Sequence, residues 1–402
     1  MEAPSFALIP SGFKSQKVYS VIPESGVGDF LFDRSNNTAT RINKDGLIES
    51  VAADIPRLNY EVNNGVVDSC PHLLLEMNST NCSTNSENPS SWSYTEFGSG
   101  SAGTITTGKT DMFGRTNAVQ IDFPANAENV TVNFGQTTST ISSGSVAVSV
   151  YIKLVSSGSK TLQLRCSTGV KSNVVVNTKK FVRYEITGTK NSNEAFNLKL
   201  RPSEGTSSGG FSIVMCHPQE EAESYATSYI PTSGSEQTRA SESCTGAGDV
   251  NTFNSVEGIL YAELKRDIAT DNGFRRVNIN DGSVDNTVRL GYSTVTNEIK
   301  GTVTIGGATP VSLVFTGLSV TSFRKMALLY KANQFELWVD GSKRAENTTT
   351  SVTFPVNTLN DLSFESSNGA DKLRAKVKDV RYYDTEGMTD TEINNLLTQL
   401  TQ

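Results

Sequence analysis

The stretch "SVAVSVYIKL", residues 145–154, constrains the fold more than any other part of the chain. Val146, Val148, Val150, Ile152 and Leu154 fall on one face of an extended backbone, with Ala147, Ser149, Tyr151 and Lys153 on the other. Successive side chains of a strand point to opposite sides, so this alternation predicts an antiparallel strand with one buried face. "KTLQLRCS" repeats the pattern with Leu162, Leu164 and Cys166, "FNLKLRPS" with Phe196, Leu198 and Leu200, and "FSIVMCHP" with Phe211, Ile213 and Met215. Ser, Gly, Asn and Thr clusters such as "TTSTISSGS" and "SEGTSSGG" separate the runs and supply the turns. A β-sandwich over about residues 88–240 is expected.

Strand-length segments continue after it, among them "GILYAELKRD", "TVRLGYS", "EIKGTVTIGG", "PVSLVFTGL", "FRKMALLYKANQFELWVDG" and "KVKDVRYYD". They predict a second sandwich to the end of the chain. Asp340-Gly341 suits the two positive φ values of a type I′ hairpin turn. Thr389 and Glu392 form a capping box, and Ile393, Leu396, Leu397 and Leu400 follow at helical spacing. One short C-terminal helix should therefore pack on the second sandwich. The first 85 or so residues have short apolar pairs but few sustained alternations. "PRLNY" and "CPHLLLE" nevertheless carry apolar groups that need a surface to bury against. The fold class expected is all-β: two antiparallel β-sandwiches after an extended N-terminal arm. The divisions are 1–87 for the arm, 88–243 for the first sandwich with its linker, and 244–402 for the second with its helix.

Composition narrows the function. The 402 residues carry a net charge of −7 with 19% charged residues, a balance unsuited to neutralising nucleic-acid phosphates or gripping an anionic membrane. The N-terminus lacks a basic n-region followed by an apolar one, and no run of 18 apolar residues exists, so neither a secretory leader nor membrane insertion is expected. Five cysteines, Cys70, Cys82, Cys166, Cys216 and Cys244, are odd in number and form no C-x-x-C pair, which predicts free thiols. His72 and His217 are the chain's two histidines, and each reads as structural: His72 adjoins an apolar run and His217 a strand end. Histidine-dependent catalysis is not expected.

"RSNNTATRINKDGLIESV", residues 34–51, is too polar for a core strand and too rich in Asn and Thr for a helix. Thr38 and Thr40 share one face of a short strand, and Arg41 lies on the other. Arg34 and Arg41 can donate bidentate hydrogen bonds to carbonyls or carboxylates. Asp45-Gly46 supplies a turn before Leu47-Ile48 re-enters a core. Such chemistry pins an extended segment, and no nucleophile–base pair accompanies it.

This stretch, with "IPRLNY" and "CPHLLLEMNSTN", resembles the N-terminal region of tailed-bacteriophage virion proteins. Those carry R-x-S-x-A-T-R-x-N-x-x-G-L-I-E, then P-R-L-x-Y, then C-P-x-L-L-L-E. The matching positions are Arg34, Ser35, Thr38–Arg41, Asn43, Gly46–Glu49, Pro56–Leu58, Tyr60, Cys70, Pro71 and Leu73–Glu76. "ESYATSYIPTSGSEQTRASES", residues 223–243, is similar to the T-S-Y-I-P-T…T-R segment that joins a carbohydrate-binding-module-like sandwich to the next domain in such proteins. The late strands and closing helix look like those of a concanavalin A-like or laminin G-like domain.

The resemblance implies a non-enzymatic virion surface protein: a tail fibre, receptor-binding protein or head fibre, assembled in the bacterial host cytoplasm. Arg34, Thr38, Thr40, Arg41, Asn43 and Arg57 would belong to an attachment arm that contacts other virion proteins. The sandwiches would present themselves to host-surface or environmental glycans, in a symmetric homo-oligomer such as a trimer. A capsid decoration or stabilisation protein without a ligand is the alternative, and a polysaccharide depolymerase a further one. Glycoside hydrolysis needs two carboxylates flanking one bond. Laminarinase-like enzymes of this architecture place them in an E-x-D-x-x-E or E-x-D-x-E string, which this chain lacks.

Two further sites are open at this level. In "FELWVDG", Phe335, Leu337 and Val339 share one face, so Trp338 and Glu336 fall on the other. They form a candidate glycan platform unless the terminal helix covers them. Asp267, Asp271, Asp281 and Asp285 in loops could hold a structural calcium, though loop aspartates commonly only form turns. No other cofactor is implied.

Overall fold

A computed structural model describes residues 2–63, 65–97, 103–125, 131–135, 141–166, 169–191, 197–202, 209–269 and 273–402. Phe196 and Asp271 lie outside them. Among the described residues the chain is built almost wholly of antiparallel strands.

The first sandwich pairs two sheets. One runs in the order Ser93–Phe97, Thr131–Gly135, Asn197–Pro202, Lys160–Arg165, Lys171–Val176; the other Thr104–Lys109, Ala118–Phe123, Phe211–Glu221, Gly144–Leu154, Val182–Lys190. Val146, Val148, Val150, Ile152 and Leu154 meet Leu162, Leu164, Leu198, Leu200, Ile213 and Met215 in its core. The opposite face of Gly144–Leu154 was expected in solvent, yet Ala147, Ser149 and Tyr151 are also buried. The cause is a second layer of chain: Ile48, Met112 and Tyr229 pack there with Tyr151 and Cys216. A register shift lets two residues of Phe211–Glu221 oppose one of Gly144–Leu154, and His217 sits at this bulge with φ 52°.

The second sandwich pairs Ala308–Phe315, Ile299–Ile305, Thr287–Tyr292, Arg275–Asn280 and Asp361–Ser363, in that order, with a larger sheet. The larger sheet runs Ser342–Asn347, Gln334–Val339, Arg324–Lys331, Gly258–Lys265, Ala375–Tyr383 and then continues into the N-terminal segment. Asp340 and Gly341 take the positive φ values the hairpin requires, and Asp340 is held by Arg324 at 2.8 Å. The helix Asp390–Thr401 has its capping box and buries Ile393, Leu396, Leu397 and Leu400 on the outer face of this sheet.

The described residues of the N-terminal segment expected as an extended arm pack on the second sandwich. His72–Leu75 and Phe6–Leu8 lie end to end along the edge of Ala375–Tyr383, and Leu58–Asn59 extends the sheet beyond His72–Leu75. Phe6, Leu8, Phe30, Phe32, Leu73 and Leu75 join the core of the second sandwich. The short apolar pairs thus complete a sheet whose other strands all lie between Gly258 and Tyr383. All five cysteines are free thiols, with Cys70 exposed and the other four buried.

Candidate functional site

The arginines of the N-terminal motif meet the linker in a buried ionic cluster. Glu242 accepts from Arg34 at 2.9 Å, from Arg57 Nε at 2.7 Å and Nη2 at 2.5 Å, and from the Glu76 amide at 3.0 Å. Glu76 in turn binds Arg57 at 2.8 Å, Arg239 at 3.2 Å and the Ser228 hydroxyl at 2.6 Å. Arg34, Arg57 and Arg239 are 0% exposed. Burial opposes the charge on Arg57, but Glu242 and Glu76 outweigh it and raise its pKa; likewise burial opposes ionisation of Glu76, and Arg239 with Arg57 holds it far below the carboxylate range. Arg34 also donates to the carbonyls of Asn36, Val51, Ala52 and Ile55. Thr40 donates to the Tyr229 carbonyl at 2.5 Å, and Thr38 to that of Thr238 at 2.8 Å. Arg41 pairs with Glu49, which also takes a bond from Asn43 at 3.4 Å.

At Arg34, Thr40 and Arg57 the donors of the attachment-arm motif are spent on carbonyls and carboxylates inside the chain. The cluster is a joint between the segments. What residues 1–87 leave exposed includes Leu31 and Val66.

Beside this joint, the N-terminal segment, the two sandwiches and the linker enclose a cleft of about 290 Å³. Its aromatic lining is Tyr60, Tyr151, Phe181, Tyr225 and Tyr229. Arg183 lies opposite Tyr151 in register and its guanidinium sits 5.7 Å from that ring. It donates to Ser149 at 2.7 Å and approaches Glu185 at 3.6 Å. Desolvation by the walls raises the Glu185 carboxyl, with Arg183 opposing, although the side chain is 46% exposed and reaches solvent at the mouth. Across the cleft, Lys376 bridges Glu61 and Asp267, each at 2.9 Å, and Lys265 meets Glu61 at 3.2 Å. Burial would raise the Glu61 carboxyl, but Lys376 and Lys265 overcome it and bring it down to about 2. Behind Glu61 lies His72, which burial and the lysines hold neutral at about 3 and which contacts Asn59 at 3.1 Å.

The cleft thus offers aromatic faces and a rim carrying both charges, within the lower range of volumes that small-ligand sites occupy. Of its members, Tyr151 was legible as an outward residue on a strand of known parity. Arg183 and Glu185 share a face of "VRYEITGTK". Glu61, Phe181, Tyr225 and Lys376 carry no local signal, because the fold brings them together over more than 300 residues.

The Trp338–Glu336 platform is not free. Trp338 packs at the edge of the cluster formed by the terminal helix, and its indole donates to Glu336 at 2.7 Å. Lys343 takes the other Glu336 oxygen at 3.3 Å, leaving that carboxylate 5% exposed and fully engaged. The face that points away from the core is the face the helix covers. Among the candidate calcium ligands, Asp267 is paired with Lys376, and Asp281 with Ser283 at 2.6 Å and Asn286 at 2.7 Å. Asp285 is exposed, its amide donating to the Ser283 hydroxyl at 3.1 Å and its carbonyl accepting from the Gly307 amide at 3.0 Å. No metal-binding grouping occurs among the described residues.

No protein-family model matches the chain, and no curated protein matches it. Solved structures do. The carbohydrate-binding module of a Ruminococcus gnavus sialidase, bound to sialyllactose, matches at 12% identity and TM-score 0.30 over 37% of this chain and 83% of its own. A tandem carbohydrate-binding-module pair from Paenibacillus barcinonensis matches at 11% and 0.25, over 77% and 98%. Mouse laminin α1 domains LG4–5 match at 11% and 0.24, over 71% and 91%. At this level of superposition, the β-sandwich assignment rests on the chain's own strand order and register.

Proposed function

We propose that this chain is a non-enzymatic adhesion protein of the tailed-bacteriophage particle surface that takes a short stretch of glycan into the cleft between its sandwiches. The cleft carries the reading. Sugar rings present C–H faces that lie against aromatic rings, and their hydroxyls accept and donate to guanidinium and carboxylate groups. Tyr60, Phe181, Arg183 and Glu185 supply both around one concavity. Hydrolysis would need a second free carboxylate beside Glu185, whereas Glu61 and Asp267 are tied to Lys376. Weak contacts repeated over many copies on a particle would give useful avidity.

The particle assignment is supported by the N-terminal and linker motifs. Antibody raised against residues 245–402, applied to purified phage particles with gold labelling, tests it. Gold at the tail supports receptor binding, and gold over the head supports a head fibre. A protein missing from purified particles by mass spectrometry refutes the virion reading. Particle-bound protein with no affinity for any glycan would make it a decoration protein instead.

A further inference from the structure

A second charged surface lies on the far side of the second sandwich. In the sheet containing Arg275–Asn280, Thr287–Tyr292 and Ile299–Ile305, alternate residues Val277, Ile279, Val288, Leu290, Ile299 and Val303 enter the core. Their neighbours face outward. Register places Arg276 opposite Gly291, and Gly291 opposite Lys300; Asn278, Arg289 and Thr302 form the next row.

Arg276 runs diagonally across Gly291 to donate to the Thr302 hydroxyl at 3.2 Å, while Arg289 reaches back to Asn278 at 3.4 Å. A Cβ on Gly291 would stand 2.8 Å from the Arg276 Cα and 3.2 Å from its Cγ, so glycine there lets the side chain lie flat. Phe274 caps the row, with the Arg276 guanidinium 4.1 Å and the Lys300 ammonium 5.9 Å from its ring centre. Arg276 is 8% exposed. Yet among the described residues no carboxylate oxygen comes within 4.0 Å of Arg276, Arg289 or Lys300. Two crossing guanidiniums, one nearly buried, are left without an ion-pair partner in contact, Asp371 acting on both only from beyond 4.0 Å, in a chain whose net charge is −7. Buried cations are ordinarily paired.

We propose that this face is a second binding surface, for an acidic polysaccharide, with a sugar carboxylate or sulfate seated between Arg276 and Arg289 and Lys300 at its edge. Guanidinium forks match both anions. The electrostatics agree: burial and then the neighbouring Arg289 lower Arg276 to about 10, with Asp371 only partly offsetting them. An anion would relieve that penalty. A nucleic acid is a poorer fit, because three cations on an acidic protein cannot neutralise a run of phosphates.

Calorimetric titration of the full chain with polygalacturonate, dextran sulfate and neutral dextran tests the proposal. Binding to either or both charged polymers, but not to neutral dextran, is expected, and the two charged probes separate carboxylate from sulfate recognition. Arg289→Gln, at a half-exposed position, should weaken that binding about 10-fold or more through loss of a charge-assisted contact. It should leave the thermal midpoint of the free protein equal or higher, because a like-charge neighbour is removed. Phe181→Ala, which alters the cleft, should leave anionic binding intact. The proposal is overturned if no charged polymer binds, if neutral dextran binds as well, or if single-stranded DNA binds more tightly than either polysaccharide. It is equally overturned if Arg289→Gln lowers the thermal midpoint without changing affinity, or if Phe181→Ala abolishes the binding.

Discussion

Glu242→Gln isolates the joint that makes one body of three segments. The carboxylate accepts three bonds from two buried guanidiniums and one from a backbone amide. Glutamine keeps the shape but turns one acceptor into a donor facing Arg57, and leaves Arg34, Arg57 and Arg239 around the single charge of Glu76. Removing one partner of a buried ionic group costs about 3–5 kcal/mol, because the remaining charge is uncompensated rather than merely unpaired. Tryptophan fluorescence during urea unfolding can place the loss. Trp92 lies in the first sandwich core and Trp338 beside the terminal helix of the second, so Trp92→Phe and Trp338→Phe backgrounds report each in turn. The transition seen by Trp338 should shift by about 3–5 kcal/mol, since Leu58–Asn59 and His72–Leu75, which flank Arg57 and Glu76, belong to that sheet. Arg41→Gln, which removes the half-exposed pair to Glu49, should cost less than about 1 kcal/mol. A Glu242→Gln shift no larger than that of Arg41→Gln would refute the joint.

Other consequences follow from the same structure. His72 and His217 are both held neutral at about 3 by burial, so the unfolded chain binds their protons first as pH falls below about 6.5. Stability should therefore be full above that pH and fall by about 2–3 kcal/mol per histidine by pH 4.5, checked by urea titrations across this range and by its partial loss in His72→Gln. Glu61 adds a second acid step: its depressed carboxyl stabilises fully above about 4.5, and that contribution is lost as pH falls toward 2. Trp338→Ala should loosen the terminal helix and cost about 2–4 kcal/mol in urea unfolding, yet leave glycan affinity unchanged. A maleimide probe should label one thiol per native chain, Cys70, and all five only after unfolding, as mass spectrometry would count.

Alternation alone made the two sandwiches legible, because a one-residue slip would turn Val146–Leu154 inside out. The hairpin at Asp340-Gly341 and the capping box at Thr389 were legible for an equally local reason. The place of residues 1–87 was not. Leu73 and Leu75 find their partners in Ala375–Tyr383, with Leu58 paired in turn to Leu73, and no local period encodes a pairing so distant. Arg34 and Arg57 were recognisable as fork donors, but their acceptor Glu242 stands about 200 residues away. Trp338 shows a different limit. Strand parity correctly turned it from the core, but a face turned from one core can meet another layer, here the helix. The cleft is least legible of all, being a product of how three segments close around Tyr151.

Glycan binding in the cleft is tested most directly by an array of bacterial surface and environmental polysaccharides, read with wild-type protein, Phe181→Ala and Glu185→Gln. Wild type should bind at least one glycan. Glu185→Gln should unfold near the wild-type urea midpoint, and Phe181→Ala, which loses packing on Tyr151 and its neighbours, at a lower one with the chain still folded. Each should bind that glycan about 10-fold more weakly, the loss of one ring contact or one charged hydrogen bond. Wild-type protein that binds nothing on the array, or variants that bind as tightly as wild type, would contradict it.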